Sequence, residues 1–222
     1  MNIIAFDAGR ATFLFPVEEM TPLEGYDTKY LLDKCRERYQ FSAVPNLLAS
    51  RAEIEKAGLK FETGRFQYKD GIVEIFQFDI YTDGLLAGAK TTEHAEAFLD
   101  DLIAWLIQEC GFRPVASKMR RVFTSQVVIE FARPISALVP MHKKITDIIT
   151  RSVAGSFDVQ FSAVMSRIDF EFHDGSGIPR VPKVSIERRA GVSLDQSRYF
   201  SSAPLSTSRH IEVLQAIEDS SA

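Results

Sequence analysis

A chain of 222 residues with 45% hydrophobic and 25% charged side chains has the composition of an ordinary globular protein with material for a sizeable core. This balance excludes a disordered or fibrous chain, and no run approaches the length of apolar sequence that a membrane-spanning helix needs. The net charge of −4 is unevenly spread: residues 1–112 carry 11 basic and 19 acidic side chains, and residues 113–222 carry 15 and 11. Two differently charged surfaces follow.

Met1-Asn2-Ile3-Ile4-Ala5-Phe6-Asp7 has neither the basic start nor the long apolar stretch of a signal peptide. Cys35 and Cys110 fall on helical apolar stripes, where a thiol behaves as a small hydrophobe. Both observations lead us to expect a cytoplasmic protein with reduced cysteines.

In chain order, Asn2 to Val17 reads as a strand or strand pair, interrupted at Asp7-Ala8-Gly9, whose residue types reverse a chain. Asp27 is an acceptable N-cap for a helix that ends near Tyr39, and Ser50-Arg51-Ala52-Glu53 has capping-box spacing for a short helix stopped by Gly58. Leu59 to Tyr68, the turn Lys69-Asp70-Gly71 and Ile72 to Tyr81 form a hairpin pattern, with Phe76, Phe78 and Ile80 on one face and Val73, Ile75 and Tyr81 on the other. A short strand from Leu85 to Ala89 leads to a helix from Glu93 to Cys110, whose stripe is Phe98, Leu102, Trp105 and Leu106.

The basic segment 113–122 reads as a linker, followed by a strand carrying Phe123, Val127, Ile129 and Phe131. A helix starts near Pro140, a residue suited to a first helical turn. A long β run spans Phe157 to His173, with its inward parity switching at a bulge near Ser166-Arg167. Strands at Val181 to Arg189 and Arg198 to Ala203 precede a last helix opening at Ser208.

The apolar pattern of residues 11–110 recurs at a shift of about 114 to 116 positions. Phe13 and Phe15 match Val127 and Ile129; Leu31, Cys35 and Tyr39 match Ile145, Ile149 and Val153; His94 matches His210, and both histidines read as neutral surface or capping residues. The expected fold is α+β, an internal duplication of two tandem β-α-β-β-β-α units, with residues 1–112 as the first half, 113–122 as the linker and 123–222 as the second, in one integrated globular unit. Such halves merge into a largely antiparallel sheet with helices on one face, an arrangement similar in topology to TATA-binding-protein-like folds. None of that family's sequence motifs is present, so the resemblance carries no function.

No nucleophile elbow, phosphate-binding lysine loop, zinc-spaced cysteine set or helical H-E-x-x-H occurs, and no cofactor is implied. Ile3 to Thr12 is similar to the strand-Asp-x-Gly phosphate turn of actin-like ATPases, but the second phosphate loop and the adenosine glycine motif are missing, which leaves a β-turn. Asp169, Glu171 and His173 alternate along a strand and project from one face, with Ile168, Phe170 and Phe172 pointing inward. Two carboxylates and an imidazole are ligand types for manganese, iron or zinc, the basis for reading the chain as a metal-dependent enzyme. Neighbours on one strand face are spaced too widely to chelate well, so a polar strand face is the plainer reading.

Arg120, Arg121, Arg180, Lys183 and Arg188 are the candidates for phosphate contacts in a nucleic-acid-binding reading, and Tyr199-Phe200 for base stacking. The acidic overall balance opposes strong nonspecific binding. Val73, Ile75, Tyr81 and Val128 suggest an apolar patch on the sheet face away from the helices, a mark of a binding surface. The leading expectation is therefore a noncatalytic interaction or accessory protein that uses this sheet face for homo-oligomerisation or a protein partner, with no membrane role.

Overall fold

Strand-forming alternation from Asn2 onward produces one 13-residue strand, β1 (Asn2–Leu14), which runs straight through Asp7-Ala8-Gly9. The expected turn is absent because Gly9 serves another purpose. A Cβ there would stand 2.1 Å from the backbone of Thr91 and Thr92, so glycine permits a close approach of two chain segments.

The computed structural model describes residues 1–45, 58–69, 71–139, 141–154, 163–172, 181–193 and 196–220. The short helix expected after Ser50 lies outside them. The other elements are α1 (Thr28–Tyr39), β2 (Leu59–Tyr68), β3 (Gly71–Tyr81), β4 (Gly84–Ala89), α2 (Thr92–Glu109), β5 (Arg120–Glu130), α3 (His142–Ala154), β6 (Arg167–Phe170), β7 (Val184–Arg188), β8 (Arg198–Ala203) and α4 (Thr207–Ser220). The fold is α+β: the strands form an open antiparallel sheet in the order β2-β3-β4-β1-β5-β8-β7-β6.

The chain divides into two units, Phe6–Ser125 with Pro204–Thr207, and Met1–Ala5 with Gln126–Ala203 and Ser208–Ala222. In the first unit, β2 pairs with β3, β3 with β4 and β4 with β1, all antiparallel. Asp27 caps α1 by accepting the Tyr30 amide at 3.0 Å, and Thr91 caps α2 by accepting that of His94 at 3.3 Å, which satisfies donors that a helix start leaves open. Leu32, Cys35 and Tyr39 of α1 and Phe98, Leu99, Leu102 and Trp105 of α2 are buried with Phe13, Phe61, Phe66, Ile75 and Phe78 of the sheet.

Phe98 sits at the centre of this core. Its ring meets Tyr39 edge-on at 5.0 Å, Phe78 at 5.3 Å and Phe66 at 5.9 Å, geometry that favours the ring quadrupoles beyond simple burial. The pairing of β3 with β4 shifts register between Ile75 and Gln77, and this bulge corrects the expected face assignment. Ile75 and Phe78 both enter the core, while Phe76 is turned out onto Gly88, where a Cβ would meet its ring at 2.5 Å.

Of the expected linker, residues 120–122 already belong to β5. Arg113 donates from its amide to Met20 O at 2.8 Å and from Nε to Thr21 O at 2.8 Å, and Glu19 accepts the amides of Ala116 and Ser117 at 3.1 and 2.8 Å. These bonds hold Glu19's carboxyl below its ordinary pKa.

In the second unit, β6 pairs with β7 and β7 with β8, again antiparallel. Val127, Val128, Ile129, Ile135, Ile186, Tyr199, His210 and Leu214 are buried. Val128 therefore joins Ile75 as a residue wrongly assigned to an open apolar sheet patch. The β run expected over Phe157 to His173 is represented among the described residues by the four residues of β6. Both cysteines are free thiols, and no helix among the described residues is long and apolar enough to cross a membrane.

Candidate functional site

Helix α3 carries Ile145, Thr146, Ile148, Ile149, Thr150 and Val153, a β-branched content that lowers intrinsic helix stability. Several polar side chains turn back on the helix itself. Thr146 Oγ1 donates to His142 O at 3.0 Å, Ser152 Oγ to Ile148 O at 2.8 Å and Arg151 Nε to Asp147 O at 3.2 Å. The apolar stripe stands open: Ile145, Ile148 and Ile149 are 47%, 48% and 47% exposed, beside an exposed Met141. Helix α3 packs against the 3-10 turn Ile135–Leu138. A helix of weak propensity ordinarily gains its stability by burying such a stripe.

A second set of exposed apolar groups lies on and after β6. Phe170 and Phe172, expected to point inward, are 48% and 45% exposed. Beside them, Asp169 accepts Arg167 Nε at 2.7 Å and Lys183 Nζ at 2.8 Å, which holds its carboxyl below the usual range. Two cations on one carboxylate oppose a third. Glu171 falls beyond the end of β6, and His173 lies outside the described residues. Among the described residues, no group of three His, Cys, Asp or Glu side chains has the spacing to hold a metal ion.

Three of the five proposed phosphate contacts are similarly engaged. Arg121 donates to Glu96 at 2.7 Å and to both oxygens of Asp100 at 2.7 and 3.1 Å, with its guanidinium over the Phe13 ring. Arg188 donates to Ser193 O, and Lys183 is bound to Asp169 as above. Arg120 is exposed at the start of β5, and Arg180 lies outside the described residues. Tyr199 is no stacking platform: it is buried against Phe131, and its hydroxyl accepts the Ile135 amide at 3.0 Å.

One constellation was not legible in the sequence. Ser201 Oγ and His210 Nε2 lie 2.9 Å apart, both fully buried, and Ser201 Oγ also donates to Ser185 O at 2.9 Å. A serine beside a histidine has the look of a nucleophile and its base. Here the hydroxyl proton goes to a carbonyl and no substrate can reach the pair, so the geometry serves packing. His210 is thus a core residue rather than a surface cap, and burial alone pushes its pKa down to about 4.

Buried Asp79 accepts Gln77 Nε2 at 2.7 Å and Tyr81 OH at 3.3 Å, and Arg10 Nε reaches Gln77 Oε1 at 3.3 Å. Tyr81, counted in the apolar patch, is therefore a member of a polar network. No protein-family model matches the chain, and no curated protein matches it.

Proposed function

We propose that the chain is a noncatalytic interaction or accessory protein of the cytoplasm, which binds a protein partner or a second copy of itself. The observation that carries this reading is the open isoleucine stripe of α3. Apolar exposure on this scale, in a helix whose residues favour other conformations, is relieved when a second surface covers it. The apolar surface thus falls on a helix, whereas the sheet patch first considered loses Ile75 and Val128 to the core. Engagement of Arg121 and Lys183 with carboxylates weighs against a nucleic-acid reading, because those charges would first have to leave their partners.

The same reading takes the chain as an internal duplication. Supporting it, the strand order is equivalent from either edge when each of β1 to β4 is matched with β5 to β8 in turn. Thr92 and Thr207, 115 residues apart, also exchange reciprocal bonds: the Thr92 amide donates to Thr207 Oγ1 at 3.0 Å and the Thr207 amide to Thr92 Oγ1 at 2.7 Å. The similarity to TATA-binding-protein-like folds rests on this doubling and brings no function with it.

The test is affinity purification at native expression, with mass spectrometry and nucleic-acid quantification of the eluate, followed by light scattering of the isolated chain. The expected result is a stoichiometric protein partner or a stable homo-oligomer that Ile145→Lys with Ile149→Lys disrupts while the fold is retained. A clean monomer with no bound protein overturns the reading.

A further inference from the structure

The first unit holds an apolar cavity of about 90 Å³ between its two helices and its strands. Leu32 and Cys35 of α1, Leu102 and Trp105 of α2, and Phe61 and Phe78 of the sheet line it. Protein interiors leave few voids larger than a water molecule, and one walled by carbon stays dry because water finds no partners there. Atoms lining such a void lack the dispersion contacts that a bound apolar group restores.

The entrance is built rather than loose. Tyr26 of the lining is exposed, and its ring stands 5.2 Å from that of Phe112, which also lines the cavity. Met20 and Thr21 form part of the same wall, and their carbonyls are held by the Arg113 amide and Nε, each at 2.8 Å. A preformed, largely apolar hollow with a fixed rim has the character of a small-molecule site. Burial pushes the Cys35 thiol up to about 12, so it stays protonated and offers no nucleophile at neutral pH.

We propose that this cavity binds a compact apolar group of about four carbon atoms, a size scaled from an engineered cavity of about 150 Å³ that takes benzene. The group is held noncovalently, as a free hydrocarbon or as the tail of a short carboxylic acid whose head remains at the Tyr26 rim. This site is independent of the surface on α3.

Trp105 is the single tryptophan of the chain, so its emission reports occupancy of the cavity directly. The intact protein is titrated with butane and, separately, with pentanoate, while Trp105 fluorescence and the melting temperature are followed. The expected result is a saturable change in emission with a rise in Tm, since a ligand of the folded state stabilises it. A response to butane alone identifies a free apolar molecule, and a response to pentanoate identifies an acyl tail. Leu102→Phe, which fills the cavity from α2, is expected to weaken binding by at least about tenfold. Cys35→Leu fills it from α1 and serves the same purpose if the first variant does not fold. No saturable response up to the solubility of butane and in pentanoate, or an unchanged response in a folded cavity-filled variant, overturns the proposal.

Discussion

Helices α1 and α3 each follow a long strand and share an apolar spacing, Leu31, Cys35 and Tyr39 in one and Ile145, Ile149 and Val153 in the other, yet they end in opposite environments. Tyr39 is buried against Phe98 and Trp105, and its hydroxyl donates to Asp101 at 2.7 Å. Ile145 and Ile149 are about half exposed. Periodicity determines which side of a helix is apolar; whether anything covers that side depends on residues far away in the chain. The difference locates core in one helix and a candidate surface in the other.

The largest expected effect lies in the covered core. Phe98→Ala removes a fully buried ring with edge-on neighbours, and should cost about 3–5 kcal/mol in urea unfolding followed by Trp105 emission. A loss well below that range would mean that the first unit packs more loosely than its aromatic cluster implies.

The second unit also has a buried interior despite its open helix, and acidification tests it. The folded pKa of His210, about 4, lies below the 6.5 of an unperturbed histidine. Below pH 6.5 the unfolded chain therefore binds a proton that the folded chain refuses, so stability falls as pH drops from 6.5 to about 4 and levels off for this group beneath that. The depression amounts to about 3 kcal/mol. His94 pulls the same way, its pKa also lowered by burial. Denaturant midpoints between pH 7 and 4 should show this slope, and His210→Gln should flatten it; an unchanged slope in the variant would place His210 in water.

The smallest effect is expected on α3. Ile149→Ala should change the stability of the isolated chain by less than about 0.5 kcal/mol, because the side chain is half in solvent already. A cost of 2 kcal/mol or more, the range of buried aliphatic truncations, would erase the contrast with α1.

Much of the local structure was legible in the residues. The Asp27 cap, the hairpin of β2 and β3, and the stripe of Phe98, Leu102 and Trp105 follow from capping chemistry and from the periods of helix and strand. Such features are decided by residues within a few positions of one another. The α+β class follows from them, since alternating strand patterns and amphipathic helices must bury their apolar faces against each other.

Tertiary structure decided the rest. Gly9 looked like a turn and is a close approach to Thr91, Phe76 looked like core and is displaced by a bulge, and His210 looked like a cap and is buried beside Ser201. Asp169, weighed as a metal ligand against the plainer reading of a polar strand face, holds two cations, one of them from Lys183 on the segment before the neighbouring strand. In the same way, the cavity beside Trp105 exists because side chains from two helices and three strands leave space between them. Burial, pairing and voids are properties of what lies across from a residue, and a one-dimensional pattern records only what lies beside it.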